Sequence, residues 1–212
     1  MKFMKSFRRT DALQRISRGR LPYKRRGLGP RLTAAAITWL LATLPSVQAQ
    51  HSKPTEYEVK ATYLYNFIRF VEWPEKVTQA QSGSFVICVL GKDPFGPALN
   101  AILADEATTG KTVVAQRIPT PQDAVNCRVL FISSSESTRL KEILATLGEA
   151  SVLTVSELPE FTQRGGMVQF VSEGNRVRFE VDLASAEHAG LTLSSELLKV
   201  AVNVRRSARL GD

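Results

Sequence analysis

Cys88 and Cys127 are the most reactive side chains in this 212-residue sequence, and they lie 39 positions apart. Two thiols at this spacing can form a disulfide, a pair of buried reduced cysteines, or part of a metal site. A metal would need more ligands, and His188 is the one histidine downstream of both cysteines. Ser133, Ser134 and Ser135 follow an apolar run, where a nucleophile could sit. They have no neighbouring base and no G-x-S-x-G frame, so a helix N-cap is the better reading; Ser133 and Glu136 stand at capping-box spacing. The loop Gly91-Lys92-Asp93-Pro94-Phe95-Gly96 also follows an apolar run. Open α/β sheets place ligands at such a point. Its glycines make neither G-x-G-x-x-G nor a P-loop. Asp93 as a cap and Pro94 in a first helical turn account for the residues without a ligand. Glu72 and Glu75 flank Trp73-Pro74, which suits a solvated helix end better than an acid/base pair. His188 precedes Ala189-Gly190 and reads as a helix-end histidine. The pattern therefore predicts no catalytic residue, no metal and no cofactor.

Which compartment holds the cysteines decides their chemistry. Residues 1–31 hold eleven Lys or Arg against the single acid Asp11. Residues 50–212 hold 17 basic and 19 acidic residues, so the formal charge of +8 comes from the leader and not from the rest. This argues against nucleic acid as a partner. The uncharged run Leu32–Leu44 is shorter than the roughly 20 residues a spanning helix needs. It has the length of a signal-peptide core, and Val47-Gln48-Ala49 supplies the small residues of a cleavage site. The reading is a signal peptide over 1–49, cut between Ala49 and Gln50, and a periplasmic mature chain. There the two cysteines are expected to pair, with two buried reduced thiols as the competing reading.

The mature part reads as a flexible lead-in over 50–55 and one α/β domain over 56–206. Residues 56–72 have helical spacing at Tyr57, Ala61, Leu64, Ile68 and Val71, with a stop at Trp73-Pro74. Six of the sixteen aromatics fall between Tyr57 and Trp73. With only Lys60 and Arg69 as cations there, they suit a buried amphipathic helix before a partner face, and not base stacking. Strands are predicted at 84–90, 112–118, 127–132 and 152–155, with a hairpin over 167–171 and 176–181. Helices are predicted at 97–104, 136–147, 157–162 and 182–189. A last helix opens at Ser194 or Ser195, with Leu197, Leu198, Ala201 and Val202 as its buried stripe. Alternating strands and helices closed by a hairpin predict an α/β three-layer sandwich: a mostly parallel central sheet with an antiparallel C-terminal hairpin.

Four ordered stretches carry a resemblance. They are KATYLYNF at 60–67 running to FVEWP at 70–74, VLGKDPFG at 89–96, RFEVD at 178–182, and AGLTLSSELL at 189–198. Together the chain resembles the YfiR family of exported bacterial regulators over about residues 56–204. The resemblance implies a periplasmic α/β protein without enzymatic activity. The implied partner is an inner-membrane diguanylate cyclase whose periplasmic sensor domain it holds inactive, lowering cyclic-di-GMP and biofilm formation. An outer-membrane lipoprotein and a homodimer are further partners it allows. The spacing of Cys88 and Cys127 looks like the family's main disulfide, and a second pair found in some members is missing. Glu196 stands where the family often has a basic residue. The contact surface is expected on the aromatic segment 63–73 and the C-terminal helix 194–205, with Tyr65, Arg69, Trp73 and Glu196 as anchors.

Overall fold

The structure, a computed structural model, describes residues 53–80, 84–106 and 112–206. The expected leader, its cleavage point at Ala49-Gln50 and the first residues of the lead-in lie outside the described residues. No helix among the described residues is long and apolar enough to cross a membrane.

The chain enters through α1 (Glu56–Phe70), then β1 (Val71–Glu72), α2 (Glu75–Ala80) and β2 (Ser84–Leu90). Next come α3 (Pro97–Glu106), β3 (Thr112–Ile118), β4 (Val129–Ile132), α4 (Leu140–Leu147) and β5 (Leu153–Ser156). The last part is β6 (Val168–Glu173), β7 (Arg176–Asp182), α5 (Leu183–His188), β8 (Thr192–Leu193), α6 (Ser195–Val200) and β9 (Asn203–Arg205). Seven strands form one sheet in the order β3-β2-β4-β5-β6-β7-β9. β3, β2, β4, β5 and β6 run parallel, β7 returns antiparallel to β6, and β9 is parallel to β7. The mostly parallel sheet with an antiparallel C-terminal hairpin is the architecture expected from the sequence.

Both faces of the sheet are covered, which is why its central strands are continuous apolar runs instead of alternating ones. Ile87, Val89, Val129, Phe131, Leu153 and Val155 face one core with α1 and α3. Cys88, Leu90, Leu130 and Ile132 face the other with Leu140 and Ile143 of α4 and with Phe161. The helix α1 begins in a reciprocal capping box: Thr55 Oγ1 accepts from the Glu58 amide and Glu58 accepts from the Thr55 amide. The hydrogen bond from the Thr55 backbone holds the Glu58 carboxyl below the usual carboxylate range.

Several boundaries depart from the sequence expectations. The first helix stops at Phe70, because Val71 and Glu72 pair antiparallel with Leu193 and Thr192. Pro97, not Pro94, opens α3. Asp93 does not cap that helix: its carboxylate accepts from the Phe95 amide within the loop. Ser133 caps a single 3-10 turn, Ser134–Glu136, and α4 starts only at Leu140. The segment expected as a helix over 157–162 holds a 3-10 turn at Phe161–Arg164. The largest departure is at the C-terminal end. The last helix ends at Val200, and Asn203–Arg205 pairs with Glu180–Asp182 as the edge strand β9. Val202 is exposed and not part of a buried stripe. Val202 and Val204, two residues apart, suit an extended strand beside an open sheet edge better than another helical turn.

Candidate functional site

Two places deserve a reading as sites: the carboxyl edge of the parallel strands, and the surface where the two expected partner segments meet.

At the carboxyl edge, the loop after β2 and the loop after β4 lie side by side at the point where strand order reverses. They touch directly. The Lys92 amide donates to Ser135 Oγ at 2.9 Å. Gly91 has φ +88°, and a Cβ there would fall 2.5 Å from Ser135 Oγ. Glycine is thus required twice, for conformation and for close approach. Arg117 at the end of β3 pins the same loop. It donates to Asp93 from Nε at 2.8 Å, to Asn100 Oδ1 at 2.7 Å and to the Gly96 carbonyl at 3.0 Å. The loop is therefore stapled, and no crevice separates it from Ser133–Ser135. We expect Gly91→Ala to cost about 1–3 kcal/mol from strain and overpacking; an unchanged urea midpoint would show that the two loops are free to part.

Further along, α1 packs across β2, β4 and β7 and buries a lysine beside the loop that follows β5. Lys60 Nζ donates to Glu157 Oε2 at 2.6 Å and pairs with Glu56 Oε1 at 2.6 Å. The Lys60 side chain is 5% exposed, Glu157 is 18% exposed and Glu56 is 52% exposed. Tyr57 donates to Glu157 at 3.4 Å, and its ring packs edge-on against Phe95. Burial works against the lysine's charge, but the hydrogen bonds to Glu157 and Glu56 outweigh it and raise its pKa. Lys60 is thus a fixed ammonium, not a poised amine nucleophile. A cavity of about 340 Å³ lies here, lined by Glu56, Lys60, Ser134, Glu157 and Phe170–Ser172.

The other expected residues fall in unreactive settings. Cys88 and Cys127 are bonded to each other, with Cα atoms 5.8 Å apart, under the second core. His188 ends α5, is exposed, and stands 3.7 Å from Glu149 Oε1, with no hydrogen bond to a serine among the described residues. Among the described residues, no group of three or more His, Cys, Asp or Glu stands together as a metal site.

The segments 63–73 and 194–205, expected to face a partner, lie against each other. The Ser194 amide donates to the Phe70 carbonyl at 2.8 Å, just beyond the two-residue pairing of β1 with β8. Ser194 then caps α6 by accepting from the Leu197 amide. This clamp holds the end of α1 and the start of α6 on one surface. Arg69, Glu72, Glu196 and Lys199 are exposed there, followed by Val200 at 55% and Val202 at 42% exposure. Tyr65 corrects the sequence expectation: it is 6% exposed and belongs to the core, since it lies on the inward face with Ala61 and Ile68. Trp73 is half-buried, and its ring lies against Phe85 and Arg128. Of the four anchors, Arg69 and Glu196 are available to a partner, and Trp73 is available only in part.

Lys60, Glu157, Arg117 and Arg128 were not singled out by sequence reasoning. Lys60 left a trace, a cation beside Ala61 and Leu64 on the apolar stripe. Arg128 left another, inside the apolar run 127–132. Glu157 left none, because it is 97 positions from Lys60.

A family model described as YfiR/HmsC-like matches residues 57–202. Among solved structures, the chain is similar to a conserved domain protein from Vibrio cholerae O1 biovar eltor, at 12% identity and TM-score 0.47, over 73% of this chain and 62% of that one. It is also similar to an ABC domain in complex with L-Trp from Streptococcus pneumonia, at 11% identity and TM-score 0.41, over 57% of this chain and 55% of that one. The chain thus spans less than two thirds of either of these structures.

Proposed function

The chain belongs to the YfiR/HmsC-like family, and from that premise we propose that it is a periplasmic regulatory binding protein without enzymatic activity. It represses an inner-membrane diguanylate cyclase by holding the cyclase's periplasmic sensor domain in its inactive conformation. The mechanism is differential binding, with the inactive sensor bound more tightly than the active one. An outer-membrane lipoprotein would compete for the regulator, and a homodimer is compatible with the same role.

One observation carries the reading. The clamp of β1 on β8 gathers residues of two separate family motifs, Phe70-Val71-Glu72 and Thr192-Leu193-Ser194, and beside it exposes Arg69, Glu196 and an apolar pair, Val200 and Val202. Mixed apolar and charged side chains on a rigid support are what an interface anchor requires.

Deleting the gene should raise cellular cyclic-di-GMP and surface attachment, and restoring the exported domain should lower both. Unchanged cyclic-di-GMP after deletion, under both oxidising and reducing envelope conditions, would sink the proposal. The competing reading is a small-ligand receptor. It loses the crevice between residues 91–96 and 133–135 but gains the cavity at Lys60 and Glu157. It would move ahead after that negative result.

A further inference from the structure

The residue just before β4 is an arginine whose whole side chain is inside the protein. Arg128 is 2% exposed and heads the largest fully buried side chains. Its guanidinium lies over two aromatic rings that pack against each other, 5.7 Å from the centre of Trp73 and 5.5 Å from that of Phe85. One donor is used: Nη2 donates to the Val77 carbonyl at 2.9 Å. Nε and Nη1 are buried with no acceptor, and so is the indole Nε1 of Trp73 beside them. Among the described residues no carboxylate is paired with Arg128; Glu72 and Glu75, the acids flanking Trp73-Pro74, are exposed.

A buried positive charge needs a compensating negative one, because desolvation of an ion outweighs what one carbonyl and two ring faces return. An acid could answer burial by neutralising itself, but a guanidinium stays protonated. Burial pushes its pKa down without any opposing cause. The other buried cation of this fold, Lys60, shows the usual solution, with two carboxylates on one ammonium. Arg128 has the burial without the partner.

We propose that Arg128 and Trp73 form a binding site for a small oxyanion, a phosphate or a small carboxylate. The guanidinium supplies the charge, and Nε, Nη1 and the indole Nε1 supply the hydrogen bonds. Trp73 and Val77 are the half-buried neighbours of Arg128, and Val77 belongs to the short helix α2. The site lies at the amino ends of the parallel strands, where β4 begins. It is therefore separate from the loops that follow the same strands at their carboxyl ends.

The test is thermal unfolding of the purified protein in sodium phosphate, sodium acetate and sodium chloride at matched ionic strength. The expected result is a saturable rise in Tm, about 5–10 °C at an oxyanion concentration 100-fold above Kd. The phosphate and acetate arms tell the two oxyanion sources apart. Arg128→Met should abolish the rise while its anion-free Tm matches or exceeds that of the parent. Trp73→Phe keeps an aromatic ring and loses the N–H, and should weaken binding about 5- to 10-fold. A chloride arm equal to both oxyanion arms would overturn the assignment. So would a parent and an Arg128→Met variant that respond alike to every salt. Should Arg128→Met fail to fold, the parent still decides: the Arg128 Nε–H NMR signal should shift saturably with phosphate, and a fixed signal would overturn the site.

Discussion

Replacing Cys127 by serine is expected to lower the unfolding temperature by about 5–15 °C, which corresponds to a loss of roughly 2–5 kcal/mol. The bond closes a span of 39 residues. In the chain-entropy treatment, opening such a loop frees the unfolded chain by about 4 kcal/mol. The native side adds to this. Cys88 lies in β2 facing the second core, and Cys127 precedes β4, where the next amide, that of Arg128, donates to the Val86 carbonyl at 2.8 Å. The bond thus ties the 3-10 turn Pro121–Asn126, which has little core of its own, to the centre of the sheet. A lone Cys88 would be left as a buried thiol against a serine hydroxyl. The check is calorimetry of Cys127→Ser and of the parent with and without reductant, together with mass analysis of the unreduced protein. Two freely alkylated thiols in the denatured parent, or a reductant-insensitive Tm, would refute a stabilising bond.

Lys60→Ala is expected to cost about 2–4 kcal/mol, at the lower end of the range for breaking a buried ion pair because Glu157 and Glu56 reach water. Removing the ammonium leaves Glu157 facing Phe170 and the Tyr57 hydroxyl with its principal charge partner gone. Lys60→Met should cost less, since the methionine refills the volume against Tyr57 and Phe170. The pH dependence separates charge from packing. The lysine pKa is raised in the fold, so its stabilisation is complete below the unfolded value of about 10.4 and is lost as the pH rises through the folded value. Tyr57 has the same sign: burial first, then Glu157, raises its phenol, and that contribution also disappears on the alkaline side. The parent should therefore lose stability steeply above about pH 10, and Lys60→Met should show a shallower alkaline limb. Urea midpoints between pH 7 and 11 would measure both. Parallel pH profiles for the parent and Lys60→Met would show that the ion pair has no part in the alkaline transition.

How far the sequence reaches can be seen element by element. β2 and β3 have the bounds expected of them: β2 is a block of apolar residues between turn signals, and β3, the edge strand with Val113 and Ile118 turned inward, is closed by the turn at Pro119-Thr120-Pro121. The hairpin of β6 and β7 was legible from its Gly-Asn turn, where Gly174 and Asn175 both have positive φ. The start of α1 was legible too, since its amphipathic face and the polar lead-in before it are local, whereas its end came at Phe70 and not at Trp73-Pro74. The pairing of Cys88 with Cys127 was legible as an expectation from there being two cysteines behind a leader that reads as an export signal, and the two strands that bring them together were both visible. What the chain does locally, it announces locally.

The remainder depended on which surfaces meet. Val71-Glu72 could have extended α1, and only Thr192-Leu193 arriving alongside made it a strand. Asn203–Arg205 could have extended α6, and only the open edge of β7 made it β9. Tyr65 reads in the sequence as an anchor of a partner surface, yet the phase of α1 against the sheet buries it, while Arg69 one turn later stays in water. Lys60 and Glu157 are 97 positions apart and Arg128 and Val77 are 51 apart, so no window of sequence contains either pair. Burial of a charge is decided by packing in three dimensions, and so is the partner that must answer it. Hence the amino acids alone determined the central strands, the main helices and the chemistry of the two thiols, whereas tertiary packing alone decided the short strands β1 and β9, which cations are paired, which is left orphaned, and which side chains stay exposed.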